Sequence, residues 1–171
     1  MSSGSSPLTE VGRGGLEGLV GTGVMSAVIA ASHALGLLTN PPPKQITRRA
    51  TEDTGVRHDV SPQAFTVGWL AAHVAFGSGV GVAFRFLRPW LPKSPVLAGV
   101  LYGSAVWVTS YAGVMPALGL YPWPREDRPW RVAVMIGAHF VYGTVMAAAD
   151  QMLAPREQST LRRVASAVLR Q

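Results

Sequence analysis

Four stretches of this chain carry almost no charge, and each is long enough to cross a lipid bilayer. Between Leu16 and Leu38 the only Asp, Glu, Lys or Arg is Glu17. There is none between Ala64 and Phe84, between Val96 and Leu120, or between Val132 and Ala149. A helix needs ~20 apolar residues to cross a ~30 Å hydrocarbon layer. Charged residues make up only 14% of the chain, against roughly a quarter in soluble domains. The pattern predicts an all-α integral membrane protein with four transmembrane helices.

The spans are expected at about Leu16–Leu38, Ala64–Leu87, Val96–Leu120 and Arg131–Leu153, within a bundle covering residues 15–154. Residues 1–14 are expected to form a disordered Ser/Gly-rich tail. Residues 155–171 are expected to form a basic amphipathic helix. There Leu161, Val164, Ala165, Val168 and Leu169 share one face, which suits the surface of an anionic leaflet. Asn40-Pro41-Pro42-Pro43 should stop the first span, because consecutive prolines cannot continue a helix. Lys44–Ala50 reads as a short basic surface helix followed by a loop. Pro116 should kink the third span or end it early. The segment Tyr121–Arg131 mixes Trp123, Trp130, acids and arginines, which reads as an interfacial turn with internal ion pairs.

The net charge of +6 does not indicate nucleic acid, because the basic residues sit at the ends of apolar spans, where they anchor a chain at headgroups. The expected partners are membrane lipids, with a homo-oligomer or a larger membrane complex left open. The absence of cysteine removes disulfides, thiolate ligands and a cysteine nucleophile. Gly77, Gly79 and Gly81 could suggest a phosphate loop, but no strand precedes them and no lysine follows. Gly21, Gly77, Gly81, Gly99, Gly103 and Gly143 read instead as positions where helices approach closely.

The two halves resemble each other. Leu19–Met25 parallels Leu101–Trp107, and Ala34-Leu35-Gly36-Leu37 returns as Ala117-Leu118-Gly119-Leu120. Ala72-His73-Val74-Ala75-Phe76-Gly77 returns as Ala138-His139-Phe140-Val141-Tyr142-Gly143. Two tandem related hairpins, about 16–87 and 96–153, follow from this reading, with His73 and His139 at matching depth. The repeat would be parallel, with its pseudo-twofold axis along the membrane normal. Lys and Arg number eight on the side of the termini and seven on the other. The short acid-free loop Arg85–Lys93 tips the expectation toward both termini in the cytoplasm.

Gly21–Ser26, Leu37, the Pro-Pro-x-x-Ile-Thr-Arg-Arg-Ala stretch Pro42–Ala50, the two Ala-His-x-x-x-Gly segments and Tyr111 through Leu120 together resemble the YagU-like family of small bacterial inner-membrane proteins. The resemblance covers about residues 15–150. It implies a multi-span protein of the bacterial inner membrane and carries over no activity, cofactor or site residue.

The candidate site residues are ionisable groups inside spans, which are functional hypotheses by default. At 1.5 Å per residue, His33 lies ~8 Å from the far end of span one. His73 lies ~14 Å into span two, and His139 ~12 Å into span four. All three fall in the half nearer the Pro-rich loops. The first reading is a structural or accessory protein whose histidines bond a neighbouring helix, with Thr22, Ser26, Ser104, Thr109 and Ser110 as partners. The second is a proton or ion path through His33, His73 and His139, with Glu17 and Asp150 as its acidic mouth, although the favoured reading of those two acids is pairing with Arg85 or solvation at the interface. The third is a metal or haem held by His73 and His139. No cofactor is required by the sequence, and no motif activates Ser26, Ser104 or Ser110 as a nucleophile, so no enzyme is expected.

Overall fold

A computed structural model describes residues 6–55 and 60–153. They form five helices: α1 Pro7–Ala34, α2 Pro42–Asp53, α3 Pro62–Leu87, α4 Pro95–Thr109 and α5 Pro129–Leu153. Helix α4 runs on through a wide turn, Ser110–Val114, into a last turn, Met115–Ala117. Among the described residues there is no strand. The helical segments Pro7–Ala34, Pro62–Trp90, Pro95–Ala117 and Pro129–Leu153 are each long and apolar enough to cross a membrane. The C-terminal amphipathic helix expected at 155–171 lies outside the described residues.

Every helix opens on a proline, whose fixed φ and missing N–H suit the first turn. Three of these prolines follow a serine that caps the helix. The side chains of Ser6, Ser61 and Ser94 accept from the N–H groups of Thr9, Ala64 and Leu97. This chemistry moves two boundaries. The tail expected through residue 14 is already helical from Pro7. The proline run at 41–43 does not stop α1; it starts α2, which extends through the acidic residues to Asp53.

Helix α1 ends earlier, at its own Ala-Leu-Gly-Leu. Gly36 takes a φ of +75°, and Leu37 N–H returns to Ser32 O at 2.9 Å. Helix α4 ends the same way: Gly119 has a φ of +69°, and Leu120 N–H reaches Met115 O at 3.0 Å. Only a residue free of Cβ strain enters this left-handed position readily. Upstream, Pro116 has no N–H to give and its ring crowds the preceding turn. That turn widens to the π form, closed by Met115 N–H on Ser110 O. The wide turn places Ser110 and Tyr111 toward the bundle's centre.

Two helix pairs meet backbone to backbone. On α1 and α3, a Cβ added to Gly18 would lie 2.2 Å from Gly77 O, and one on Gly81 would lie 2.2 Å from Gly14 O. On α4 and α5, a Cβ on Gly103 would lie 2.2 Å from His139 O, and one on Gly143 would lie 2.1 Å from Gly99 O. The pairs join through α1 and α5, where Gly21 meets the Tyr142 ring. In these matched contacts Gly77, not His73, occupies the place that His139 holds in the other pair. His73 therefore stands one turn closer to the Pro-rich loops than the repeated motif suggests.

Tyrosines tie the pairs together. Tyr142 donates to Gly77 O and Tyr102 to Val80 O, each at 2.8 Å, and Tyr102 stands edge-on to Phe84 with centroids 5.1 Å apart. Tyr142→Phe is expected to cost about 1 kcal/mol, read as a lower melting midpoint in detergent, and Tyr102→Phe about the same. Unchanged midpoints would mean that these carbonyls gain nothing from the hydroxyls. The outer surface is apolar: Val67, Leu70, Phe76 and Phe86 on α3 are exposed. Such a continuous apolar exterior is matched by lipid rather than water.

Candidate functional site

At the end near the Pro-rich loops, α3 and α4 separate and leave a cavity of about 190 Å³. His73 and Trp69 line it from α3, Ser110 and Tyr111 from the wide turn, His139 from α5, and Thr22 from α1. Pro42, Pro43, Ile46 and Thr47 of α2 cover it. The amphipathic pattern of α2 explains this: its apolar face turns inward while Lys44, Arg48 and Arg49 are exposed. Ala72 and Phe76 line the cavity and are themselves exposed, so its mouth opens sideways, on the apolar flank of the bundle.

The histidines do not behave alike. His139 is buried, and its Nδ1 lies 2.7 Å from Met135 O on its own helix. A carbonyl only accepts, so Nδ1 carries the proton and Nε2 is left as an acceptor. His73 Nε2 is buried with no hydrogen-bond partner. His33 is not with them: it is exposed at the end of α1, where its ring is hydrogen-bonded to Leu38 O. It closes a helix terminus and does not line the cavity.

The interhelical bonds expected of the histidines are therefore not made by them. Four of the five expected hydroxyl partners are committed elsewhere. Thr22 donates to Gly18 O, Ser104 to Val100 O and Ser110 to Val106 O, at 2.6–2.7 Å, all within their own helices. Thr109 likewise donates to Ala105 O. A short side chain four residues above a carbonyl reaches it before it can reach another helix. The longer phenols of Tyr102 and Tyr142 span the gap instead. Tyr142 is the aromatic residue of the second Ala-His-x-x-aromatic-Gly segment, and that was the signal available for it in the sequence.

Glu17 and Asp150 lie in a second cluster, where the start of α1 meets the ends of α3 and α5. Asp150 accepts from Arg85 Nη1 at 2.6 Å and from Arg88 Nε at 2.9 Å, and Arg13 Nη2 stands 3.9 Å away. Arg85 also binds Glu10. Glu17 is 0% exposed, and neither of its oxygens has a hydrogen-bond partner. These contacts place the first turns of α1 and the last turn of α5 at the same end of the bundle.

At the opposite end Tyr111 donates to Asp127, Tyr121 donates to the same carboxylate at 3.3 Å, and Arg131 pairs with it at 3.3 Å. Burial raises the pKa of the Tyr121 hydroxyl, against the opposing hydrogen bond donated by Arg131. This network fastens the loop before α5 to the wide turn of α4 and holds Tyr111 at the cavity wall. It is the internal ion pairing of the interfacial turn, and Tyr111 is the member that the sequence did not single out.

Among the described residues no group of three or more His, Asp or Glu side chains is placed to hold a metal ion. His73 and His139 share a cavity wall without a carboxylate beside them.

The pattern that defines a family of unknown function matches residues 8–161. The chain belongs to that family, DUF6789. The DUF6789 match takes in all five helices, and with them both the cavity and the arginine–carboxylate cluster. It does not tie the chain to the YagU-like proteins or to bacteria. No curated protein and no solved structure matches the chain.

Proposed function

We propose that this chain is a non-catalytic integral membrane protein whose cavity takes up a small apolar molecule from the lipid phase. The observation that carries the reading is the sideways mouth at Ala72 and Phe76 of a cavity walled by Trp69, His73 and His139. Pockets between the helices of a bundle, mostly apolar with a few polar groups, are where small ligands bind. The surrounding hydroxyls of Thr22 and Ser110 serve their own helices, which favours binding over chemistry.

One observation favours a proton-handling reading: Glu17 is buried with both carboxylate oxygens unpartnered, and half-buried His73 has a buried Nε2 without a partner. Against it stand the layers between them. The Gly18–Gly77 and Gly103–His139 contacts leave backbone touching backbone, and Phe84 and Met146 are wholly buried. Such close packing opposes a file of water between them. None of the residues lining the cavity belongs to the arginine–carboxylate cluster.

Duplication of one hairpin accounts for the two Ala-Leu-Gly-Leu helix ends. The resemblance to YagU-like proteins and the basic loop Arg85–Lys93 support a bacterial inner membrane with both termini cytoplasmic. Lipids are the natural partners.

The test is extraction of protein purified in lipid nanodiscs. Wild type should release a hydrophobic molecule near one per chain. Ala72→Trp, which blocks an exposed position at the mouth, should release at least ~10-fold less while melting as wild type does. A wild-type chain that carries nothing, with a pH-dependent proton flux in liposomes that is lost when His73 and His139 are replaced, would reverse the reading in favour of proton handling.

A further inference from the structure

We infer that the cavity selects a ring-headed lipid bearing a hydroxyl donor, a phenol or quinol headgroup, which hydrogen-bonds to His139 Nε2. The inference rests on the reading of the cavity as a binding site and names its ligand class.

Size comes first. A cavity of about 190 Å³ compares with the ~150 Å³ cavity that takes up benzene. It holds one ring with small substituents and excludes a pair of acyl chains. The walls then favour an aromatic ring over an alkyl segment. Trp69 and Phe76 can stack on or stand edge-on to a ring. Met25, Met115 and Met135 bring three thioethers to the wall, and sulfur makes favourable contacts at aromatic edges.

Polarity decides the substituent. The hydroxyls at the wall have given away their protons: Thr22 to Gly18 O, Ser110 to Val106 O, Tyr111 to Asp127. The His139 tautomer that donates from Nδ1 to Met135 O leaves Nε2 as a bare acceptor. Among the described residues no hydrogen-bond donor reaches it. An acceptor that faces a largely apolar cavity without a donor is costly, and a ligand hydroxyl supplies one. A tail on the ring would leave between Ala72 and Phe76 into lipid.

The test uses the full chain in nanodiscs. 4-Heptylphenol and its methyl ether share ring, tail and size and differ in the donor. The phenol should bind about ten-fold more tightly, and His139→Leu should erase that difference. A long-tailed quinol that outcompetes the phenol identifies a quinol-headed lipid as the source, and equal affinity identifies a free phenol. Ala72→Trp, at an exposed position, should weaken all of them.

Equal binding of phenol and ether by the wild-type chain overturns the inference and needs no variant. A phenol preference that survives in folded His139→Leu overturns it as well. If neither probe binds but Ala72→Trp still loses a co-purified molecule, the ligand class is wrong and the cavity remains a binding site. If nothing binds or co-purifies, both readings fall.

Discussion

Gly81→Ala is expected to lower the stability of the bundle by about 3 kcal/mol, a drop of roughly 10 °C in melting midpoint for a chain of this size. One methyl group is enough because of what it meets. The new Cβ would lie 2.2 Å from Gly14 O and 2.5 Å from the Cα and N of Gly18. All of these are backbone atoms and none can swing away, so α1 and α3 must part along their length. Gly143→Ala should do the same to α4 and α5, where the Cβ would lie 2.1 Å from Gly99 O. Gly79→Ala, two residues from Gly81, has nothing within 4 Å and should stay within about 0.5 kcal/mol of wild type. The contrast between Gly79 and Gly81 is the measurement. If both variants melt alike, close approach of the backbones is not what holds the pair.

Asp150→Ala is the second large effect, at about 3 kcal/mol. Its carboxylate is nearly buried and joins Arg85, Arg88 and Arg13. Without it three guanidinium groups face one another where water is scarce. Glu10 would still pair with Arg85. Asp150→Asn should cost less, because the amide oxygen still accepts from one arginine. Glu52→Ala supplies the comparison. It removes a 3.8 Å ion pair with Arg48 whose partners are both half exposed, and such pairs contribute a few tenths of a kcal/mol. Thermal melts of the three variants in one detergent give the order. Asp150→Ala melting beside Glu52→Ala would show that the cluster is only a solvated surface.

The spans could be read directly because crossing a membrane is a demand on composition. A charge inside hydrocarbon is costly whatever its neighbours, so Val96–Leu120 identifies itself. Helix starts were also legible, in the Ser-Pro pairs 6–7, 61–62 and 94–95. A Ser/Gly-rich start reads as a tail and so hides the start of α1 at Pro7, and reading Pro41–Pro43 only as a breaker hides Pro42 as the opening of α2. The histidines were legible as polar groups inside spans, but their partners were not. Whether His139 bonds its own helix or another depends on rotamer and interaxial distance, which composition does not encode. His33 and His73 look alike in sequence; one turned out to close a helix end and the other to line a cavity.

The two similar Ala-His-x-x-aromatic-Gly segments illustrate the same limit. Aligning Ala72–Gly77 with Ala138–Gly143 pairs His73 with His139. The glycine contacts pair Gly77 with His139 instead. Local similarity constrains which residues resemble one another. The level at which two helices cross depends on where each can come closest, and that is a property of both faces together.

The sequence by itself determined that this chain is helical, that four of its helices can cross a membrane, and where most of them begin. Each of those features follows from solvation or capping over a few consecutive residues. Only the tertiary structure decided that α3 and α4 part to leave a cavity, that α2 covers it, and that three arginines converge on Asp150. Those features depend on distances between residues far apart in the chain, set by how closely glycine faces let the helices approach and by where the wide turn before Pro116 redirects α4.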